Sequence, residues 1–185
     1  MEDYKNFLDE ILISKEKLQE RIAELGEEIS RDYAGKELLL VCILRGGVFF
    51  TVDLMKKIDT PHLVEFMAIS SYGEGVREST GDVRVTLDLQ TNIRDMHVLL
   101  VEDIIDSGHT LTSVIERLSA QHPASLKVCT LLDKADRREV DVPIKYCGFN
   151  IEDKFVFGYG LDIDEYFRGL PFIGVVDLDK YKPAD

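Results

Sequence analysis

The sequence predicts an α/β fold with a central, mainly parallel sheet flanked by helices, and with the two ends of the chain packed as smaller additions. Continuous apolar runs, Leu38 to Leu44, Val98 to Val101 and Leu126 to Leu132, have the character of strands buried on both faces. Between them stand segments with helical spacing: Leu18, Ile22, Leu25 and Ile29, then Leu111, Val114, Ile115 and Leu118. No internal repeat, low-complexity tract or linker divides residues 1–185, so a single domain is expected.

Taken in order, Phe7 to Ser14 is a short apolar segment whose Ser14 can cap the helix that follows, and Gly35 ends that helix. Leu38 to Leu44 is the first buried strand. Arg45, Gly46 and Gly47 then turn the chain into a helix with Phe50, Leu54 and Ile58 inward. Glycine permits close backbone approach to a ligand, and Arg45 can fork onto phosphate oxygens; a tight turn with a solvated arginine fits the same residues. His62 to Ile69 is another strand. The glycine-rich stretch Ser70 to Asp82, with one aromatic in Tyr72, is the length of a lid or a plain surface loop.

Val83 to Leu87 resumes as a strand, and Val98 to Val101 is closed by the adjacent acids Glu102 and Asp103. Asp106, Ser107, Gly108, His109 and Thr110 form a polar turn into a helix. A turn of this kind gathers free backbone N–H groups and a helix N-terminus, which together suit a phosphate. Three carboxylates beside it would repel a bare polyphosphate, yet they suit vicinal sugar hydroxyls or a hard cation such as Mg²⁺. A sugar phosphate with a metal satisfies both halves of the loop. No GxxxxGK[ST] is present, and the GxG at Gly158 to Gly160 lacks its third glycine and a helix start.

Leu126 to Leu132 is a further strand, and Lys134 follows it at the same sheet edge as the anion turn; by frequency it would be a surface lysine paired with Asp133 or Asp136. Ile144 to Phe149, Phe155 to Phe157 and Phe172 to Val176 are short strands, with the charged aromatic segment Asp162 to Arg168 between the last two.

The net charge of -13, from 22 basic and 35 acidic residues, argues against nucleic-acid or membrane adhesion. Cys42, Cys129 and Cys147 lie apart in apolar runs without zinc spacing, as buried thiols of a reducing cytoplasm do. Leu38 to Leu44 is the longest apolar run and falls short of the ~20 residues that span a bilayer. Neither export nor membrane insertion is expected.

The string VEDIIDSGHTL resembles the phosphoribosyl diphosphate (PRPP) motif of the type I phosphoribosyltransferase family: two acids, two aliphatics, then D-[ST]-G-x-T. LRGG at Leu44 to Gly47, SSYG at Ser70 to Gly73, LLDK at Leu131 to Lys134 and the tail from Gly148 to Pro171 extend the likeness over nearly the whole chain. Together they resemble the bacterial hypoxanthine (hypoxanthine-guanine) phosphoribosyltransferase branch. The resemblance implies the type I fold, with a small hood formed from the chain ends. It implies Mg²⁺-dependent transfer from PRPP to hypoxanthine or guanine, giving IMP or GMP and diphosphate, in a cytoplasmic homodimer or homotetramer.

By position, the resemblance assigns Asp106, Ser107, Gly108, His109 and Thr110 to the 5'-phosphate, and Asp106 also as general base at purine N7. Glu102 and Asp103 match the acids on the ribose hydroxyls or their Mg²⁺. Arg45 and Gly46, in a loop that often carries a non-proline cis peptide, and Arg168 match the diphosphate site. Lys134 matches the donor to the 6-oxo group, Phe155 the stacking ring and Val156 the backbone contact to the base edge. Asp162 matches an acid near the second Mg²⁺ and the base, and Ser71 and Tyr72 match the start of the lid.

His109 stands where many relatives carry lysine or asparagine, and Ser107 where many carry threonine. Altered PRPP affinity is expected rather than lost function. Two other functions fit the same motif: a PRPP-sensing regulator of this fold, and a phosphoribosyltransferase preferring xanthine. The regulator would need a basic face and need not keep Lys134, Phe155 and Arg168.

Overall fold

The computed structural model describes residues 3–71 and 83–182. In chain order its strands are β1 (Leu8–Ile13), β2 (Leu38–Leu44), β3 (His62–Ser71), β4 (Val83–Leu87), β5 (His97–Ile105), β6 (Ser125–Asp133), β7 (Ile144–Asn150), β8 (Val156–Phe157) and β9 (Ile173–Val176). The helices among the described residues are α1 (Lys15–Asp32), α2 (Gly47–Met55) and α3 (His109–Ser119).

The larger sheet has the order β4-β3-β2-β5-β6-β7, parallel throughout except at β3 and β4. Its central strands are apolar on both faces because both are covered. Leu38, Leu40, Leu99 and Val101 meet Leu18, Ile22, Leu25 and Ile29 of α1 and Phe50 and Leu54 of α2. On the other face Leu39, Val41, Ile43, Val98 and Leu100 meet Leu111, Val114 and Leu118 of α3. Ser14 caps α1, its side chain accepting from the Lys17 N–H.

The two chain ends build a second sheet, antiparallel, in the order β1-β9-β8. Phe7, Phe157, Ile163 and Val176 form its own cluster, while Val156, Tyr159, Leu161, Ile173 and Val175 join the core beneath α1 and α2. The Tyr159 hydroxyl donates to Asp53 of α2 at 2.7 Å, and the Gln19 side-chain amide of α1 donates to the same carboxylate at 2.9 Å.

Several bounds differ from the sequence reading. Strand β5 does not stop at Val101: its ladder with β6 continues from Glu102 opposite Thr130 to Ile105 opposite Asp133. Backbone pairing is indifferent to the side chains, so the acids ride on the strand itself. Helix α3 begins at His109, so Thr110 lies in its first turn rather than in the loop. Cys42 and Cys129 are buried as expected, but Cys147 is only partly so. Ile58 is buried although it lies beyond the end of α2.

Candidate active site

Strand β2 has β3 on one side and β5 on the other, so the chain reverses direction of winding between β2 and β5. The carboxyl ends of two such strands diverge their loops and leave a crevice. Here that crevice is a cavity of about 710 Å³, lined by Arg45 and Gly46 after β2, by the segment from Glu102 to Leu111, and by Arg137 and Glu139. Gly108 caps α3 in the left-handed conformation, φ 93°, and makes no side-chain cap bond. The first-turn N–H groups are therefore left for a ligand. A Cβ at Gly108 would press on Val142 and the Val140 carbonyl, so the turn is backed closely by the segment after β6. The Ser107 carbonyl accepts from the N–H groups of Glu139 (3.0 Å) and Val140 (3.3 Å), fixing the loop from behind.

At the cavity floor Asp103 is buried and its neighbour Glu102 is partly so. Burial pushes the Glu102 carboxyl well above the usual carboxylate range, and the adjacent Asp103 charge pushes it further. Burial also raises Asp103, against hydrogen bonds that favour its charge. Gly46 lies directly on this pair: a Cβ there would overlap an Asp103 carboxylate oxygen. The Leu44–Arg45 peptide leading into Gly46 is cis.

Two charge bridges run from the cavity to the remaining candidate residues. Arg137 Nε sits 2.8 Å from Asp106 Oδ1, its Nη1 sits 3.1 Å from Asp153 Oδ2, and Lys134 Nζ lies 3.3 Å from Asp153 Oδ1. Lys134 is only 7 % exposed, so its ammonium depends on that carboxylate. The partner is neither Asp133 nor Asp136: Asp133 is taken by Arg138, and Lys134 turns inward instead. On the opposite rim, Glu165 Oε2 lies 2.6 Å from Arg45 Nη1 and 3.0 Å from Arg168 Nη2, and Arg168 Nη2 also meets Asp162 at 2.8 Å.

Phe155, expected in the strand, lies exposed just before β8, and Val156, which begins it, is buried. His109 does not face solvent freely; its Nε2 pairs with Glu139 at 2.8 Å. Among the expected residues Tyr72 lies outside the described residues, and only the backbone of Ser71, at the end of β3, is described.

Sequence reasoning missed Arg137, Asp153 and Glu165. The doublet Arg137-Arg138 four residues past β6 was the available signal for the first, since it follows Lys134 along the same sheet edge. The other two stand inside a recognised tail but carry no motif letter that marks them.

An uncapped helix N-terminus and paired acids at the switch point of a mainly parallel sheet, with a hood made of the chain ends beside them, are the layout of a phosphoribosyltransferase. The chain belongs to that family: the phosphoribosyl transferase domain matches residues 9–164. Within it the relatives are purine enzymes. The hypoxanthine phosphoribosyltransferase of Salmonella typhimurium is 49% identical over 171 residues, covering 91% of this chain and 96% of its own. The hypoxanthine-guanine phosphoribosyltransferase of Mycobacterium avium is 46% identical over 185 residues, covering 97% and 91%. A crystal structure of a hypoxanthine phosphoribosyltransferase from Staphylococcus aureus superposes with a TM-score of 0.93 at 44% identity, covering 97% of each chain. The protein is thus an enzyme of purine salvage that transfers a phosphoribosyl group. None of the helices among the described residues is long and apolar enough to cross a membrane.

Proposed function

We propose that the protein transfers the 5-phosphoribosyl group of PRPP to hypoxanthine or guanine, forming IMP or GMP and diphosphate, with Mg²⁺ as cofactor. The observation that carries this reading is the convergence on one cavity of an uncapped helix N-terminus, the buried Asp103 with the partly buried Glu102 beside it, and Arg45. The turn Asp106 to Thr110 cradles the 5'-phosphate through backbone N–H groups. Arg45, the Gly46 backbone and Arg168 receive the departing diphosphate, whose growing negative charge they stabilise.

A divalent cation fits this site. Two adjacent carboxylates pushed towards their neutral forms are what a hard cation returns to the charged form, and Mg²⁺ keeps several waters and substrate oxygens besides one or two carboxylates. Glu102 and Asp103 would hold it beside the ribose hydroxyls, and Asp162 would approach a second ion and the base. When bound, it neutralises charge on the leaving group.

Asp106 is the general base that takes the N7 proton as the bond to N9 forms, a step worth roughly 10²- to 10⁴-fold. Lys134 donates to the 6-oxo group, Phe155 stacks on the ring and the Val156 backbone meets the base edge. Adenine would set an amino donor against the buried ammonium, with no acceptor between them. The lid assigned to Ser71 and Tyr72 excludes water, and the working unit is a homodimer or homotetramer.

The test is diphosphate release from PRPP with Mg²⁺ and each of hypoxanthine, guanine, xanthine and adenine, with Asp106→Asn alongside. Turnover with hypoxanthine or guanine but not adenine, lost mainly in kcat in the variant, is the expected result. PRPP binding without turnover on any base would move the assignment to a sensor of the same fold.

A further inference from the structure

The two arginines assigned to the leaving diphosphate already share an anion. One oxygen of Glu165, Oε2, lies within 2.6 Å of Arg45 Nη1 and 3.0 Å of Arg168 Nη2. Arg45 reaches the cavity from the loop after β2, whereas Arg168 comes from the hood, so this carboxylate is what joins the two across the rim. Arg45 makes no other ion pair among the described residues.

The turn carrying Glu165 is built to present it. Asp164, Glu165 and Phe167 all have left-handed backbones, with φ of 47°, 69° and 67°. Side chains other than glycine seldom adopt that conformation, and clusters of such residues mark functional turns. The Glu165 N–H is tied to Asp162 Oδ2 at 2.9 Å, and Asp162 Oδ1 in turn holds Arg168. Both sides of the Arg45 bridge are nonetheless open to water, at 72% and 59% side-chain exposure, so the contact is of the weak, screened kind. A firmly specified turn thus holds out a loosely bound charge.

We propose that Glu165 is an internal stand-in for diphosphate: its carboxylate occupies the two arginines in the free enzyme, yields them to PRPP, and reclaims them as the product diphosphate departs. This deepens the function proposed above and rests on its assignment of Arg45 and Arg168. Glu165 competes equally with PRPP and with diphosphate, so it weakens both and speeds release of the latter. Diphosphate, with its higher charge and its metal, wins the arginines when bound, and the single carboxylate wins them when diphosphate is dilute.

The experiment is calorimetric titration of the full-length protein with inorganic diphosphate and Mg²⁺, comparing wild type with Glu165→Gln. The glutamine variant should bind about two- to fivefold more tightly. It should also show a lower KM for PRPP and, where diphosphate release limits turnover, a lower kcat. A second comparison separates displacement from the loss of one negative charge: with Arg45→Gln in both proteins, the gain from Glu165→Gln should shrink. Equal or weaker diphosphate binding in Glu165→Gln, or a gain undiminished in the Arg45→Gln background, overturns the proposal. Absence of diphosphate binding by the wild type would instead sink the assignment of the arginines on which it rests.

Discussion

The buried ammonium of Lys134 owes its place to one acid, Asp153, which also takes Arg137 and through it reaches Asp106. Replacing Lys134 by methionine keeps the stem and removes the donor, at a cost of about 1.5–3 kcal/mol for a charged hydrogen bond, or roughly 10- to 150-fold in kcat/KM for 6-oxopurines. Asp153→Asn should raise the KM for the base while leaving that for PRPP near its original value. Steady-state kinetics with each substrate varied in turn measures both, and a change confined to PRPP would contradict the arrangement. Lys134 itself was legible in the sequence because it follows a buried strand at the ligand edge. Its partner was not, since Asp153 lies beyond another strand, and neighbouring Asp133 and Asp136 offered nearer choices. The same limit hid Glu165, whose bridge to Arg45 spans most of the chain.

Strand β5 shows what the chain's patterning states well and what it does not. Its buried half, Val98 to Val101, is legible as apolar residues, but its continuation to Ile105 is set by pairing with β6 rather than by residue type. Placing Glu102 on a strand inside the cavity has a measurable consequence. Its folded pKa is raised above the ordinary value of 4.5, so the folded state holds the proton more tightly than the unfolded one. Stability is then unaffected by this group below the ordinary carboxylate range and falls as pH rises through the window above it. With metal chelated, Glu102→Gln should melt higher than wild type at about pH 8 and show little difference at about pH 5. Thermal unfolding monitored by circular dichroism at both values provides the check. An equal difference at the two would show that Glu102 does not carry the effect.

The molecule is two layers of assembly, a mainly parallel sheet whose carboxyl edge lines the cavity and a hood built from the chain ends. The first was legible in its central strands, β5 apart, because strands buried on both faces must be continuously apolar. Two of the hood's strands were legible as such, but β1 read only as an apolar entry segment, and its pairing with β9 joins opposite ends of the chain and has no local signal. The layers are fastened by Tyr159, whose hydroxyl donates to Asp53. Tyr159→Phe should leave a partly buried carboxylate short of a donor, lowering stability by ~1–2 kcal/mol. At about 2–4 °C per kcal/mol for a chain of this size, the melting temperature should drop by several degrees, and the KM for the base should rise with it. An unchanged melting temperature would mean that Gln19, with Lys56, whose ammonium lies 3.2 Å from Asp53 Oδ1, holds that carboxylate without Tyr159.

Strand β9 is the middle strand of the hood sheet, with β1 on one side and β8 on the other. During synthesis, at roughly 5–20 residues per second, every strand of the larger sheet has been made by Asn150, yet the hood sheet lacks its centre until residues 173–176 have emerged. Birth order therefore separates the cavity edge from the hood. Phe155 and Arg168, made before the final strand, gain the sheet that anchors their segment only when that strand slides between the first and the eighth.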